Sequence, residues 1–407
     1  MTILFGHPSG NPNSHNAALA HYEAGWLEAF CVPWMPTELE IGLLERIPGV
    51  KHQAARLRRR RFAPLDAAPK VQGRFGEWDR MFKRMVGGAW ADERLSYQAN
   101  DWLMRVMARE CRRGTVTAVH AYEDCALLQF QEAERLGKRR IYDLPIGYYP
   151  AWESVHKALI RQYEDWLPRG AAGDGVYVRP EQKHQEMALA DLVMVPSSFV
   201  QRTVRQYSDR PVAVAPYGVD ADFWSPGPAR RGDGPFRFLF AGQCSIRKGT
   251  PLLLQAWKAA ALDDAVLEMV GTWRLADSRK RELPAGVDMH EPVAPDALRE
   301  RIRRADVLVL PSYFEGLALV ILEAMACGLP VIATDATGGA DVIGPDSGVI
   351  IPAGDLDALV ASLRWAGDER QRLSAMRTAA RRKAESMSWT LYRERVRQAV
   401  APMVGGA

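Results

Sequence analysis

Apolar positions along the chain follow two rhythms. Short strand-like runs occur at 2–5, 116–120, 140–144, 192–196, 236–240, 266–270 and 306–310, the last closed by Pro311 and Ser312. Runs of that length predict strands buried on both faces. Between them lie stretches with helical spacing, at about 14–30 with Asn13 or Ser14 as its N-cap, at 127–136, and at 251–261. A last one, 388–403, places Trp389, Tyr392, Val396 and Val400 on one stripe. Strand and helix in alternation predict an α/β fold with parallel, doubly wound sheets.

The alternation breaks once. Residues 212–228, VAVAPYGVDADFWSPGP, are rich in Pro and Gly, and the pattern restarts at 236. A chain of 407 residues and 45.4 kDa exceeds one compact core and suits two domains of about 200 residues each.

Composition changes this picture little. Hydrophobic residues at 47% and charged residues at 25% exclude a disordered or coiled-coil chain. A net charge of +4 does not indicate a nucleic-acid binder, whereas pI ≈ 8.8 suits anionic ligands. Cys31, Cys111, Cys125, Cys244 and Cys327 are scattered and show no CxxC spacing, which favours a reducing cytoplasm over a disulfide or zinc framework. The longest apolar stretch, 317–333, is broken by Glu323, Gly328 and Pro330, so a cytoplasmic protein without a spanning helix is expected.

Candidate chemistry concentrates in 306–333, DVLVLPSYFEGLALVILEAMACGLPVIA. It predicts a strand, a turn, a helix opening at Gly316 and ending at Gly328, and a second strand after Pro330. Glu315 stands at the helix entrance, and Glu323 follows roughly 10 Å along the axis. Between them the free N–H groups of Gly316, Leu317, Ala318 and Leu319, at the positive end of the helix dipole, favour a phosphate. Acid, phosphate site and acid together suit a nucleotide sugar, held at its sugar and ribose ends. Taken singly, Glu315 is more often a dipole cap, and Glu323 a solvated helix residue, than a ligand. A second constellation, FLFAGQCSIRKGT, puts Gly242, Arg247 and Lys248 on a strand-to-helix loop, where they suit a diphosphate or form a solvated basic turn.

The Glu-x7-Glu spacing within PSYFEGLALVILEAMACGLPVIA closely resembles the donor-site signature of retaining glycosyltransferase family 4, the group 1 glycosyltransferases. The resemblance implies the GT-B fold, two Rossmann-like doubly wound domains facing a cleft. It implies an acceptor-side domain at 1–213, a nucleotide-sugar donor domain at 214–385, and a final helix, 386–407, crossing back onto the first. PYGVD followed by FWSP resembles the interdomain connection of that family. The implied reaction moves a sugar from a UDP- or GDP-sugar to an acceptor hydroxyl with retention, in surface glycan, glycolipid or glycoconjugate biosynthesis. Neither metal nor cofactor is implied, and the chain shows no DxD-type pair.

Carried onto this chain, the resemblance implies catalytic roles for His120, Lys248 and Glu315. It implies donor contacts from Gly10, Gly242, Gln243, Arg247, Lys248, Glu315, Gly316, Leu317, Ala318, Leu319 and Glu323. His120 is expected to face the cleft, with His7, His15, Tyr142 and Asp143 near the acceptor. Gln243 stands where the family pattern has Arg, and Arg247 is expected to supply that charge. A GT-B epimerase or phosphorylase, or a non-catalytic relative that binds a nucleotide sugar, is the alternative. Arg56, Arg58, Arg59, Arg60 and Arg61, near Trp78, Trp90 and Trp102, form either a solvated helix face or a weak peripheral contact with anionic lipid.

Overall fold

The structure, a computed structural model, describes residues 2–405 apart from 48–56, 59, 75, 77–78, 80–82, 84–96, 169–178 and 229–233. Among the described residues thirteen strands lie in two parallel sheets. The first holds β1 (Thr2–Gly6), β2 (Leu27–Val32), β3 (Lys70–Gln72), β4 (Val116–Tyr122), β5 (Arg139–Asp143), β6 (Leu192–Val195) and β7 (Val212–Val214). Their order is β3-β2-β1-β4-β5-β6-β7. The second holds β8 (Phe236–Ala241), β9 (Ala265–Val270), β10 (Val287–His290), β11 (Val307–Leu310), β12 (Val331–Thr334) and β13 (Gly348–Ile351), in the order β10-β9-β8-β11-β12-β13.

The sequence pattern explains why these strands take central places. Ile3 to Phe5, Ala118 to Ala121 and Val307 to Leu310 are buried throughout, so helices must cover both faces of each sheet. Both sheets reverse strand order once, at β1/β4 and at β8/β11. Such a switch point leaves a crevice beyond the carboxyl ends of the two strands, where α/β sheets bind ligands. In the second sheet the loops 242–249 and 311–318 flank it.

One expected helix is two elements. The stretch 14–30 divides into a helix, Pro12–Glu23, and β2, which pairs with β1. Gly25, at φ +69°, turns the chain between them. The N-cap is Asn11: its Oδ1 accepts from Ser14 N–H at 2.8 Å while the Ser14 hydroxyl accepts from Asn11 N–H at 2.9 Å.

The helix Trp389–Val404 buries Tyr392, Val396 and Val400 and packs on the helix Pro12–Glu23. Arg393 and Arg397 reach Glu23 at 3.1 and 2.8 Å, but such exposed pairs add little beside the apolar stripe. Gly218 lies so close to this return path that a Cβ there would sit 2.4 Å from Trp389 N. Among the described residues no helix is long and apolar enough to cross a membrane.

Candidate functional site

Two loops meet at the β8/β11 switch point. The first leaves β8 through Gly242 and turns back at Gly249, whose φ of +71° suits glycine, into the helix Thr250–Ala260. The second leaves β11 through Pro311 and reaches the helix Leu319–Ala326. Tyr313 N–H donates to the Arg247 carbonyl at 2.8 Å, tying one loop to the other.

Three charges converge on one oxygen. Glu315 Oε1 lies 2.6 Å from Lys248 Nζ and 2.7 Å from Arg247 Nη1, which also donates to the Phe314 carbonyl at 2.9 Å. Glu315 is 8% exposed, so these contacts are little screened by water. The cluster keeps one net positive charge. A Cβ on Gly242 would lie 3.9 Å from Lys248 Nζ, so the ammonium borders the mouth of the β8 loop.

Beside it opens a recess of about 270 Å³ lined by Gly242, Gln243, Thr272, Val293, Val320 and Glu323, among others. Desolvation pushes the half-buried Glu323 carboxyl up to about 7. From the ordinary carboxylate value up to about 7 the folded protein therefore binds more protons than the unfolded chain. Stability falls as pH rises through that window. Glu323→Gln is expected to raise the Tm of the ligand-free protein at pH 8, by at most about 3 kcal/mol in stability, and to change it little at pH 4. Calorimetry across pH checks this, and a pH-independent difference would contradict it.

The loop before the helix departs from the expected one. The helix begins at Leu319, not Gly316, because Ala318 is extended and the loop before it is held against other backbone. A Cβ on Gly316 would sit 1.8 Å from the Pro145 carbonyl oxygen, and the Ala318 N–H is given to Thr337 O at 3.3 Å. Leu319 and Val320, as the first helical residues, keep their N–H groups outside the helical ladder. Leu317 is buried.

In the first sheet the expected residues are placed otherwise. His120 is fully buried rather than cleft-facing. Its Nδ1 lies 2.9 Å from His21 Nε2, its Nε2 lies 3.5 Å from Asp143 Oδ2, and desolvation lowers it to about 3. Tyr142 is fully buried and donates to Glu186 at 3.1 Å. Asp143 is buried beside Tyr122, and burial raises it to about 7. Gly10 does not offer its amide to a ligand, since Gly10 N–H donates to His7 Nδ1 at 2.9 Å. His7 and His15 are both buried and neutral, lowered to about 3 and about 4 by desolvation.

The arginine run is not a free band of charge. Arg58 pairs with Glu38 and Glu45, and Arg61 with Glu38 and Asp66. Arg60 is also engaged. Arg56, Arg59, Trp78 and Trp90 lie outside the described residues, and Trp102 packs on the core.

A cavity of about 580 Å³ opens at the opposite, amino edge of the second sheet, beside Arg303, Arg377 and Arg381. Its guanidiniums are taken up by backbone, Arg381 donating to Ala221, Trp224 and Ala326 carbonyls and Arg377 to Ala305. The sequence offered no sign of Thr272, Val293 or Val320. Thr272 and Val293 follow β9 and β10 outside both loop motifs, and Val320 is an apolar residue in the first turn of the helix Leu319–Ala326. Among the described residues no group of three His, Cys, Asp or Glu side chains gathers in a metal-holding arrangement.

Residues 226–383 match the family described as glycosyl transferases group 1. The D-inositol 3-phosphate glycosyltransferase of Geodermatophilus obscurus is 34% identical over 253 residues, covering 54% of each chain. The GDP-mannose-dependent monoacylated alpha-(1-6)-phosphatidylinositol monomannoside mannosyltransferase of Corynebacterium glutamicum is 30% identical over 166 residues, 38% of this chain and 42% of that one. The chain thus spans about half the length of the curated relatives it matches.

Over the whole chain the fold is that of sucrose-phosphate synthase from Thermosynechococcus elongatus, with TM-score 0.63, 16% identity and 99% of both chains covered. It is equally that of Anabaena HepE, solved with UDP, with TM-score 0.63, 15% identity, and 99% and 100% covered. The segment that matches the group 1 glycosyl transferases contains both Glu315 and Glu323, and the two parallel sheets have the GT-B arrangement of these solved structures.

Proposed function

We propose that the protein transfers a sugar, with retention and without a metal, from a UDP- or GDP-sugar to an acceptor hydroxyl. The observation that carries this is the convergence of Arg247 and Lys248 on Glu315 beside the recess that holds Glu323. The base and ribose enter the recess, with Glu323 accepting from ribose hydroxyls. The diphosphate lies against Lys248, Arg247 and the N–H groups of Leu319 and Val320, and Glu315 accepts from the sugar. Gly242 gives the phosphates close approach, and exposed Gln243 is a hydrogen-bonding neighbour without the charge of an Arg.

In the transfer the bond from the anomeric carbon to the leaving phosphate oxygen breaks. The acceptor oxygen bonds to that carbon on the same face, and its proton passes to the departing diphosphate. The cations and amides are already in place when negative charge grows on the leaving group, so little reorganisation is needed. His120 supports the end of β4 through its ring contacts and touches no substrate.

The arrangement of sheets supports a division into an acceptor side at 1–213, a donor side at 214–385 and a returning helix at 386–407. The five buried, free cysteines suit a reducing cytoplasm. The names of the relatives support an inositol-containing or glycolipid acceptor, and no contact with the membrane is drawn from the paired arginines.

Incubation with UDP-, GDP- and ADP-sugars, with release of nucleotide followed in the presence and absence of acceptor, tests the reaction. Acceptor-dependent release with the anomeric configuration kept is the expected result; binding without turnover would favour a non-catalytic relative. Glu323→Ala is expected to raise the donor KM by about tenfold or more, given the ~1.5–3 kcal/mol of hydrogen bonds to a charged group, with the circular dichroism unchanged. An unaltered KM would remove Glu323 from the site.

A further inference from the structure

The loop that carries Glu315 is held from two directions. Its N–H groups are held within its own half of the molecule, Glu315 N–H by the Ala336 carbonyl at 2.9 Å and Ala318 N–H by Thr337. Its carbonyls are held from the other half. Gly147 N–H donates to the Glu315 carbonyl at 3.4 Å, and the Ser197 hydroxyl donates to the Gly316 carbonyl at 2.7 Å.

Packing at this seam leaves no slack. A Cβ on Gly147 would meet the Phe314 ring at 2.3 Å, and Phe314 itself sits 5.3 Å from both the Trp152 and Phe199 ring centroids. Ser197 is fully buried and serves two chains of contact at once. Its oxygen accepts from Val200 N–H at 3.3 Å, capping the helix Ser198–Arg205, while its hydrogen goes to Gly316. The next residue, Ser198, donates its N–H and its hydroxyl to Asp341 at 2.6 and 2.5 Å. The start of that helix is therefore fastened to the second half at two adjacent points.

We propose that the acceptor-side half sets the position of the Glu315 carboxylate, with Ser197 as the positioning residue and Gly147 as the close contact that keeps the register. This rests on the glycosyl-transfer reading of the site. The physical consequence is direct. Glu315 Oε1 is the shared acceptor for Arg247 and Lys248, so a shift of the 315–316 peptide moves one carboxylate and two cations together. Misplacement of such a constellation by about 1 Å costs on the order of a hundredfold in rate. The recess with Gly242 and Glu323 belongs wholly to the second half and does not depend on Ser197.

The test measures transfer kinetics and nucleotide affinity on the full chain, with Lys248→Ala assayed in parallel. Ser197→Ala is expected to lower kcat about tenfold, while Kd for UDP or GDP, by calorimetric titration, changes less than about twofold; partial retention of the loop by its own N–H partners keeps the loss below the hundredfold limit. Ser197→Thr, which keeps a hydroxyl, is expected to recover kcat to within about threefold of the wild type. Gly147→Ala, which leaves the helix cap intact, is expected to reproduce the kcat loss. Should the wild type release no nucleotide from any sugar donor, the transfer reading itself fails; should Lys248→Ala keep wild-type transfer, the assignment of this loop cluster to the leaving group fails. Should Lys248→Ala be inactive while both Ser197→Ala and Gly147→Ala keep wild-type kcat, only the positioning role is wrong; if Ser197→Ala does not fold, Gly147→Ala alone decides.

Discussion

Lys248→Ala is expected to lower kcat for sugar transfer by about two to three orders of magnitude, with the fold retained. Its ammonium lies 2.6 Å from Glu315 Oε1 and borders Gly242, at the place where a diphosphate would reach the loop after β8. Arg247 cannot take over, because its guanidinium is already anchored on the Phe314 carbonyl. Removing the ammonium also changes the cluster from one net positive charge to neutral, so the growing charge of the leaving group meets no excess of cation. The side chain, 13% exposed, belongs to a loop rather than to the apolar core, and the helix Thr250–Ala260 behind it keeps its buried face. Steady-state kinetics with circular dichroism provide the check. A kcat within threefold of the wild type would show that the leaving group is stabilised elsewhere.

Gly249→Ala is expected to destabilise the protein by about 3 kcal/mol, the largest stability effect among these predictions. Two costs combine. The φ of +71° is left-handed, worth about 1–2 kcal/mol for an L side chain. The added Cβ would also stand 2.0 Å from the Pro311 carbonyl oxygen, forcing a backbone shift of the kind that costs about 1–3 kcal/mol. Pro311 opens the loop that carries Glu315, so the same shift would also reach the site. Gly25→Ala separates the two costs, since Gly25 has φ +69° and nothing within 4 Å of its Cβ position. Urea unfolding is expected to give a loss near 1 kcal/mol for Gly25→Ala and clearly more for Gly249→Ala. Equal losses would show that the contact with Pro311 relaxes without cost.

The same contact explains why the Lys-Gly and Glu-Gly pairs read as separate motifs in the sequence yet act as one object. Gly249 packs on Pro311, Tyr313 N–H bonds the Arg247 carbonyl, and the two cations close on Glu315. Each motif was legible from its residue types. Their shared oxygen was not, because nothing in the spacing between 248 and 315 states that two loops meet at one switch point. The helix start at Leu319 was hidden for a related reason. Propensity allows a helix from Gly316, but Pro145 presses on that glycine from the other half of the molecule.

His120 shows the converse failure. A histidine at the end of a buried strand suits a cleft-facing role or a core role equally, and local sequence does not distinguish them. The decision came from His21, 99 residues away on the first helix, and from Asp143 on the neighbouring strand. Ser197, buried between two halves, carries no motif at all. In sequence it is one more N-cap serine.

By itself the sequence determined the α/β class, the break between two halves, most strands and the presence of two charged loop motifs, because unbroken apolar runs, helical stripes and charged loop motifs express local burial and local geometry. Only the tertiary structure decided which of those residues touch. It turned His120 inward, gave the Gly10 amide to His7, bound the arginine run to carboxylates, and fixed Glu315 between Lys248 and the far side of the molecule. Those outcomes depend on backbone approaches between segments distant in the chain, and such distances are set by packing rather than by any neighbour in sequence.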